Sequence, residues 1–307
     1  MRAIVYKSTG SWYIVKNQEG EIFNARLKGR FKIENITSTN PIAVGDVVEI
    51  ENELDTNSTI ISAIYERRNY INRVSPHNAH QHHIVASNID QALLFATLKE
   101  PKTSLGFIDR FLITSEAYRV PSIIIFNKLD LFQEAELEKL DLIRHIYEPI
   151  GYTIKAISLS ENIGVEGVED LLKDKITLLS GHSGVGKSTF INRLFPDLHL
   201  KTQHVSDWSG KGMHTTTFAE MFDLPFGGKI IDTPGIRELG LVNISKQELA
   251  HYFLEMHALM NECQFNNCMH INEPGCAIKN AVNSDKIHTE RYYSYLNILE
   301  SIVEKKY

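Results

Sequence analysis

The stretch GHSGVGKS, Gly181 to Ser188, constrains this chain more than any other. It fits G-x-x-x-x-G-K-[ST], a pattern that makes chemical sense where a strand ends in a tight glycine loop that opens a helix. Both flanks are present: Ile176 to Leu179 reads as a buried strand and Lys187 to Phe195 as the helix. Glycines let the backbone fold around a phosphate, and amide N–H groups converge on the anion at the helix N-terminus. Lys187 bridges the terminal phosphates and Ser188 ligates Mg2+. A nucleoside triphosphate site is therefore predicted at Gly181, His182, Ser183, Gly184, Val185, Gly186, Lys187 and Ser188, with Lys187 also counted as catalytic. A chance match in a flexible glycine-rich loop would lack the flanking strand and helix.

Upstream, strands and helices alternate from about residue 89. Ala92 to Thr97 reads as a strand, and Ser104 to Arg119 as a helix with Leu105, Ile108, Phe111, Leu112 and Ser115 on one face. Ser122 to Phe126 is a nearly continuous apolar run, as expected of a strand buried on both faces. Glu134 to Tyr147 has helical spacing, and Tyr152 to Ile157 and Val165 to Lys173 continue the alternation. Such repetition implies a doubly wound, mostly parallel sheet.

The base is specified by NKLD, Asn127, Lys128, Leu129 and Asp130, at the end of the Ser122 to Phe126 strand. Asp130 can accept hydrogen bonds from N1–H and the 2-amino group of guanine, whereas adenine offers an acceptor at N1 and no amino group at C2. At roughly 1.5–3 kcal/mol per hydrogen bond to a charged group, losing both disfavours adenine by about 3–6 kcal/mol. Asn127 would tie this loop to the phosphate loop, Lys128 would lay its stem along the base, and Ser158 of SLS is a further base contact. In DTPG, Asp232 to Gly235, Asp232 would hold Mg2+ through water and the Gly235 amide would meet the γ-phosphate. GKGMHTTT, Gly210 to Thr217, reads as a switch whose threonine completes the Mg2+ shell. Thr216 is favoured over Thr215 and Thr217.

In ordinary GTPases the phosphate loop precedes NKxD. Here NKLD and Ser158 come before Gly181, so the GTPase domain is circularly permuted. Close termini in a compact α/β domain make such rewiring tolerable.

At 307 residues the chain has room for about two or three domains. Residues 1–68 carry five short strand-like runs, Ala3 to Tyr6, Trp12 to Val15, Ile22 to Leu27, Val47 to Ile50 and Thr59 to Tyr65. They suggest a small β-barrel, an OB-fold, with an SH3-like barrel or open sheet as alternatives. Arg26, Lys28, Arg30 and Lys32 would share one face of an extended segment, as a basic stripe or a solvated strand face. Trp12, Tyr13, Phe23 and Phe31 could stack bases or fill the core. About residues 69–83, including His77, His80, His82 and His83, read as an exposed polar linker leading into a GTPase domain that ends near 240.

Residues 241–307 form a third unit. Ser245 to Met260 reads as a helix, and Asp285 to Lys306 as a terminal helix capped by Ser284. Between them Cys263, Cys268, His270 and Cys276 suit a closed, structural Zn2+ site, with His257 as a distant reserve ligand. All three cysteines fall in that stretch, which does not resemble a secreted disulfide framework. No apolar run approaches the roughly 18 residues of a membrane span, and the N-terminus lacks the apolar core of a signal peptide. A cytoplasmic protein is expected, with a monomer as the default state. A net charge of −6 limits any RNA contact to local patches.

With an OB-fold, a permuted GTPase and a Cys3His unit, the whole chain resembles the ribosome small subunit-dependent GTPases of the RsgA family. That resemblance implies binding to the maturing 30S subunit and its rRNA, late assembly work, and GTP hydrolysis stimulated by the subunit. It carries the nucleotide contacts onto Asn127 to Asp130 and Gly181 to Thr189, and the zinc ligands onto Cys263, Cys268, His270 and Cys276. Ile236 follows DTPG where Ras-like proteins place a water-orienting glutamine, so the free enzyme should be slow. His214, beside the threonine run, matches the family's proposed catalytic histidine, with an exposed loop histidine as the bland alternative. Two other classes fit less well. A small-molecule kinase leaves NKLD and DTPG unexplained, and an RNA-binding adaptor would use GTP only as a conformational ligand.

Overall fold

The computed structural model describes residues 1–28, 41–53, 58–74, 82–195, 219–233 and 244–302. Arg30, Phe31, Lys32, His77, His80, the switch residues His214, Thr215, Thr216 and Thr217, and Gly235 and Ile236 lie outside these spans.

The first strands are β1 (Arg2–Ser8), β2 (Tyr13–Asn17), β3 (Ile22–Leu27), β4 (Val47–Asn52) and β5 (Thr59–Ile64). β1 pairs with β2 and β2 with β3, antiparallel; β3 pairs with β5 in parallel, and β5 with β4 antiparallel. β4 returns to β1 and closes the ring, which is the five-stranded Greek-key barrel of an OB-fold. Period-two alternation sends Ala3, Val5, Tyr13, Val15, Ala25, Val48 and Ile50 inward. Tyr13 is thus core, whereas Trp12 is half exposed, at 52%. Arg26 donates to Glu53 (2.6 Å) and Lys28 lies 3.9 Å from Glu51, so these two members of the basic stripe face acids at the end of β4.

The expected linker is instead an antiparallel ribbon of β6 (Tyr70–Val74) and β7 (His82–Ser87). Its polar composition hides one apolar side: Ile71 and Ala86 are fully buried and join Val44 in the core below.

The central layer comprises β8 (Gln91–Ala96), α1 (Leu105–Ala117), β9 (Ser122–Phe126), α2 (Glu134–Tyr147), β10 (Thr153–Ala156), α3 (Val168–Leu172) and β11 (Ile176–Gly181). It continues with α4 (Lys187–Leu194), β12 (Glu220–Asp223) and β13 (Lys229–Asp232). The spatial order is β10-β9-β8-β11-β13-β12, parallel apart from β12. Both faces are covered, which explains the unbroken apolar strands: Ala92, Leu94 and Ala96 of β8 meet α1 and α2, while Leu93 and Phe95 enter the core with α4.

The outer edge of β12 is taken by the barrel. A bulge between Val5 and Lys7 turns the end of β1 away from β4, and Lys7 pairs with Glu220. Barrel and central sheet therefore form one 11-stranded system. Two polar clusters lock this junction. The buried Asp46 accepts from both Arg67 nitrogens (2.6 Å each), Ser87 (2.6 Å) and the Ala43 amide (2.8 Å). Asp223 of β12 accepts from Tyr6 and Lys16 of the barrel, both at 2.6 Å, and from Lys229 of β13.

The C-terminal unit holds α5 (Leu254–His257), α6 (Ala277–Asn283) and α7 (Thr289–Ser301). Two expectations are corrected. Ser245 to Met260 is not one helix, because Phe253 takes an extended backbone that buries its ring against Tyr295 (5.4 Å), leaving a 3-10 turn before it and the single turn α5 after it. Ser284 ends α6, donating to Asn280 O (2.9 Å), and α7 begins five residues later behind His288, whose Nδ1 accepts from the Glu290 amide. The left-handed Asp285 (φ 56°) turns the chain so that Ile287 enters the core.

Burial alone would raise the Asp223 carboxyl, but hydrogen bonds from Lys16, Lys229 and Tyr6 outweigh it and bring it down to about 2. A folded value below the unfolded one, about 3.9, stabilises above that pH and is lost as pH falls toward 2. Asp223→Asn should therefore lower the melting temperature by a few degrees at pH 7 and low salt, and the deficit should vanish between about pH 4 and 2. A deficit constant across that range would show that the ion cluster does not hold the barrel.

Candidate functional site

Parallel strands place their following loops on one rim, and four sequence motifs meet there. β11 ends at Gly181, whose positive φ (137°) takes the chain past β8; an added Cβ would fall 2.3 Å from Phe95 O. Gly186 is tighter still, since its Cβ would sit 2.1 Å from Asn127 Nδ2 at a φ of 104°. Between them Val185 is buried as an anchor, and α4 starts at Lys187 with Ser188 and Thr189 in its first turn. The loop is thus a glycine-shaped cradle at a helix N-terminus, suited to an anion.

Lys187 Nζ donates to Gly181 O and His182 O, at 2.6 Å each, which holds the ammonium at the loop mouth. Burial pushes it down to about 8, with the Asp232 charge opposing. Asp232, at the end of β13 and paired in register with Leu179, is 3% exposed. Burial pushes its carboxyl up to about 6, against the pull of Lys187. Burial disfavours the charge of each group, so a phosphate beside Lys187 and a cation beside Asp232 would favour both ionised forms.

Asn127 is the joint between loops. Its amide donates to Ala96 O (2.9 Å), its Nδ2 donates to Val185 O of the phosphate loop (2.9 Å), and its Oδ1 accepts from the Leu159 amide (3.2 Å). Lys128 is left-handed (φ 66°) and donates to Glu100 O, so its ammonium is braced by the loop after β8, a contact that no sequence signal announced. Leu129 and Asp130 lie in a 3-10 turn, with the Leu129 amide on Ile157 O (3.0 Å). Ser158 is buried, exchanges backbone hydrogen bonds with Ile163, and donates to Asp130 Oδ1. The structure therefore brings Asn127, Lys128, Asp130, Ser158, Gly181 to Thr189 and Asp232 to one rim, while His214, Thr216 and Gly235 fall outside the described residues.

A second constellation lies in the C-terminal unit. Ligand atoms of Cys263, Cys268, His270 and Cys276 all fall within 4.8 Å of one another. His270 Nδ1 stands 3.6 Å from Cys263 Sγ and 3.4 Å from Cys276 Sγ, close to the edge of about 3.5 Å that a tetrahedral Zn2+ with ordinary bond lengths requires. The loop is built for this. Glu273 accepts the amides of Met269, Ile271 and Asn272, His270 takes a left-handed backbone, and Tyr292 and Tyr295 of α7 donate to His270 O and Met269 O. Burial raises the Cys268 thiol, and the neighbouring cysteines raise it further, so a cation is what would turn the cluster into thiolates. The residues fit a structural zinc ion; His257 is not among the converging four.

A parallel sheet whose phosphate loop follows its fourth strand while an NKxD turn follows its second is that of a circularly permuted P-loop GTPase. Residues 64–242 match the RsgA GTPase family, and residues 3–60 the RsgA N-terminal domain. The chain belongs to the RsgA family. It is 50% identical over 304 residues to the small ribosomal subunit biogenesis GTPase RsgA of Flavobacterium psychrophilum, covering 98% of this chain and 93% of that one. It is 51% identical over 300 residues to the protein of the same name from Cytophaga hutchinsonii, covering 97% and 98%. Among solved structures, YjeQ from Thermotoga maritima aligns with a TM-score of 0.80 at 32% identity over 99% of both chains. YloQ, described as a circularly permuted GTPase, aligns at 0.74 and 27% identity over 100% of this chain and 96% of that one.

Because an alanine methyl at position 186 would overlap the Asn127 amide, Gly186→Ala should weaken fluorescent GDP binding by about 100-fold or more while the far-ultraviolet circular dichroism is kept. Unchanged affinity would mean that the cradle does not hold the phosphates.

Proposed function

We propose that this protein hydrolyses GTP while engaged with a maturing 30S ribosomal subunit and its rRNA. The carrying observation is the Asn127 side chain, which bridges the NKLD turn to Val185 O of the phosphate loop, so that base and phosphate subsites form one pocket despite their reversed order in the chain. Asp130, held by Ser158, reads guanine; Gly181 to Thr189 cradle the phosphates; Lys187 offsets negative charge on the transferring phosphoryl group. Ser188, Asp232 and Thr216 would hold Mg2+, which would supply charge neutralisation to the triphosphate. Cys263, Cys268, His270 and Cys276, whose ligand atoms converge, would hold zinc as a structural ion.

The partner comes from the relatives' shared description as small ribosomal subunit biogenesis GTPases. An OB-fold suits single-stranded or looped RNA, and the half-exposed Trp12 offers a stacking face. Among the described residues of the basic stripe, Arg26 is paired with Glu53 and Lys28 lies near Glu51, so stacking on Trp12 would add to any contact with phosphates. Among the described residues no helix is long and apolar enough to cross a membrane, and work on ribosomal subunits would place the protein in the cytoplasm. His214 is proposed as the group that orients the attacking water, because Ile236 occupies the position of the usual glutamine and cannot.

Single-turnover hydrolysis with and without purified 30S subunits tests this reading. The free protein should turn over at about 10⁻² s⁻¹ or less, and the subunit should raise the rate at least about tenfold. His214→Ala should remove the stimulation and leave GTP and subunit binding in place. Absence of turnover even on the subunit would make the protein an adaptor that uses GTP only as a conformational ligand.

A further inference from the structure

Helix α1 touches the nucleotide rim at one end and the zinc-bearing unit along its length. At the rim, the ring of Phe107 stacks on His182 of the phosphate loop, with centroids 3.8 Å apart and planes 30° from parallel. The segment leading into the helix leans on both nucleotide loops: Glu100 O accepts from Lys128, and Pro101 lies against Gly184. Two residues beyond Phe107, the fully buried Asp109 accepts from Arg291 of α7 and from Tyr147 of α2. Arg291 is itself buried, forks onto both oxygens of Glu255 (2.6 and 3.1 Å), and lies between the Tyr147 and Phe253 rings. α1 also lends Ile113 to the hydrophobic core of the C-terminal unit, while its Ile108, Phe111 and Leu112 belong to the GTPase core.

We propose that α1 couples nucleotide occupancy to the zinc-bearing unit, with Phe107 and Arg291 as positioning residues at its two contacts. The inference rests on the nucleotide reading of the rim. Its physical origin is Lys187, whose ammonium is shared between Gly181 O and His182 O. Phosphate competes for that ammonium, so His182 is a loop residue whose hydrogen bonding depends on occupancy, and its ring is the one resting on Phe107. At the other contact the planar guanidinium of Arg291 spans carboxylates from two elements and leaves α7 little freedom to move without α1. Packed elements of this kind shift between discrete arrangements and do not deform smoothly, so a small change at His182 is passed on. The coupling is reciprocal: a partner whose binding displaces α7 must alter nucleotide affinity by the factor by which nucleotide alters that partner's affinity.

Hydrogen–deuterium exchange on the full chain, with and without Mg2+ and GDP, tests the proposal. GDP should slow exchange in residues 127–130 and 181–189, and should also slow exchange in α7 by at least about fivefold, the low end of ordinary coupling. Phe107→Ala should lose the α7 effect while keeping that at 181–189, and Phe107→Tyr, which preserves the stack, should restore it. Arg291→Lys, which keeps the charge but loses the fork, should behave as Phe107→Ala does; should it fail to fold, the Phe107 pair still decides. Protection at 181–189 with none in α7, or full α7 protection in Phe107→Ala, would overturn the coupling and spare the nucleotide site. Protection at neither place would overturn both.

Discussion

One buried amide fixes the spatial relation on which the nucleotide rim depends. Asn127 gives a hydrogen bond to Val185 O and takes one from the Leu159 amide, so the loops after β9, β10 and β11 are referenced to a single side chain. Truncating it would leave buried partners unsatisfied, at about 1–3 kcal/mol each. Nothing in these contacts depends on which loop the chain reaches first. Permutation is tolerated because the parallel sheet, with order β10-β9-β8-β11-β13, sets the rim, and the connections only have to reach it.

Rewiring changes what adjoins the rim. β12 would be an open sheet edge, with unpaired backbone groups available to other chains; here β1 of the barrel covers it through the Lys7 to Glu220 pairing. The same strand carries Asp223, which gathers Tyr6, Lys16 and Lys229, so the barrel is joined to the strand that directly follows the switch sequence. Helix α1 is shared between two cores, and its buried Asp109 meets Arg291 of the last helix. The barrel and the Cys3His unit are therefore attached to different elements of one nucleotide domain.

Much of this was legible in the sequence, for physical reasons. GHSGVGKS dictates its own strand and helix, and the run Ser122 to Phe126 is a strand end for end because all five residues are buried, the polar Ser122 included. The Cys3His cluster could be read because thiols and imidazole gathered in one polar stretch have few other uses. What escaped notice depends on long-range contacts. The ribbon β6–β7 buries Ile71 and Ala86 beneath a polar exterior, and β12 is four residues of mixed burial whose strand character comes from two neighbours. Phe253 breaks an amphipathic pattern for the sake of a ring contact with Tyr295, and the His182–Phe107 stack joins residues 75 positions apart in the sequence.

A single guanine-nucleotide pocket built from NKLD and GHSGVGKS, reversed in sequence, depends on the base contact of Asp130. Competition titration of Asp130→Asn with GTP and XTP tests it most directly, because an amide can donate to the 2-oxo group of xanthine where a carboxylate can only accept. The variant should lose GTP affinity by about two orders of magnitude, as the loss of charge-assisted hydrogen bonds implies, and gain affinity for XTP. Equal affinity for GTP in the variant and the native protein would contradict it.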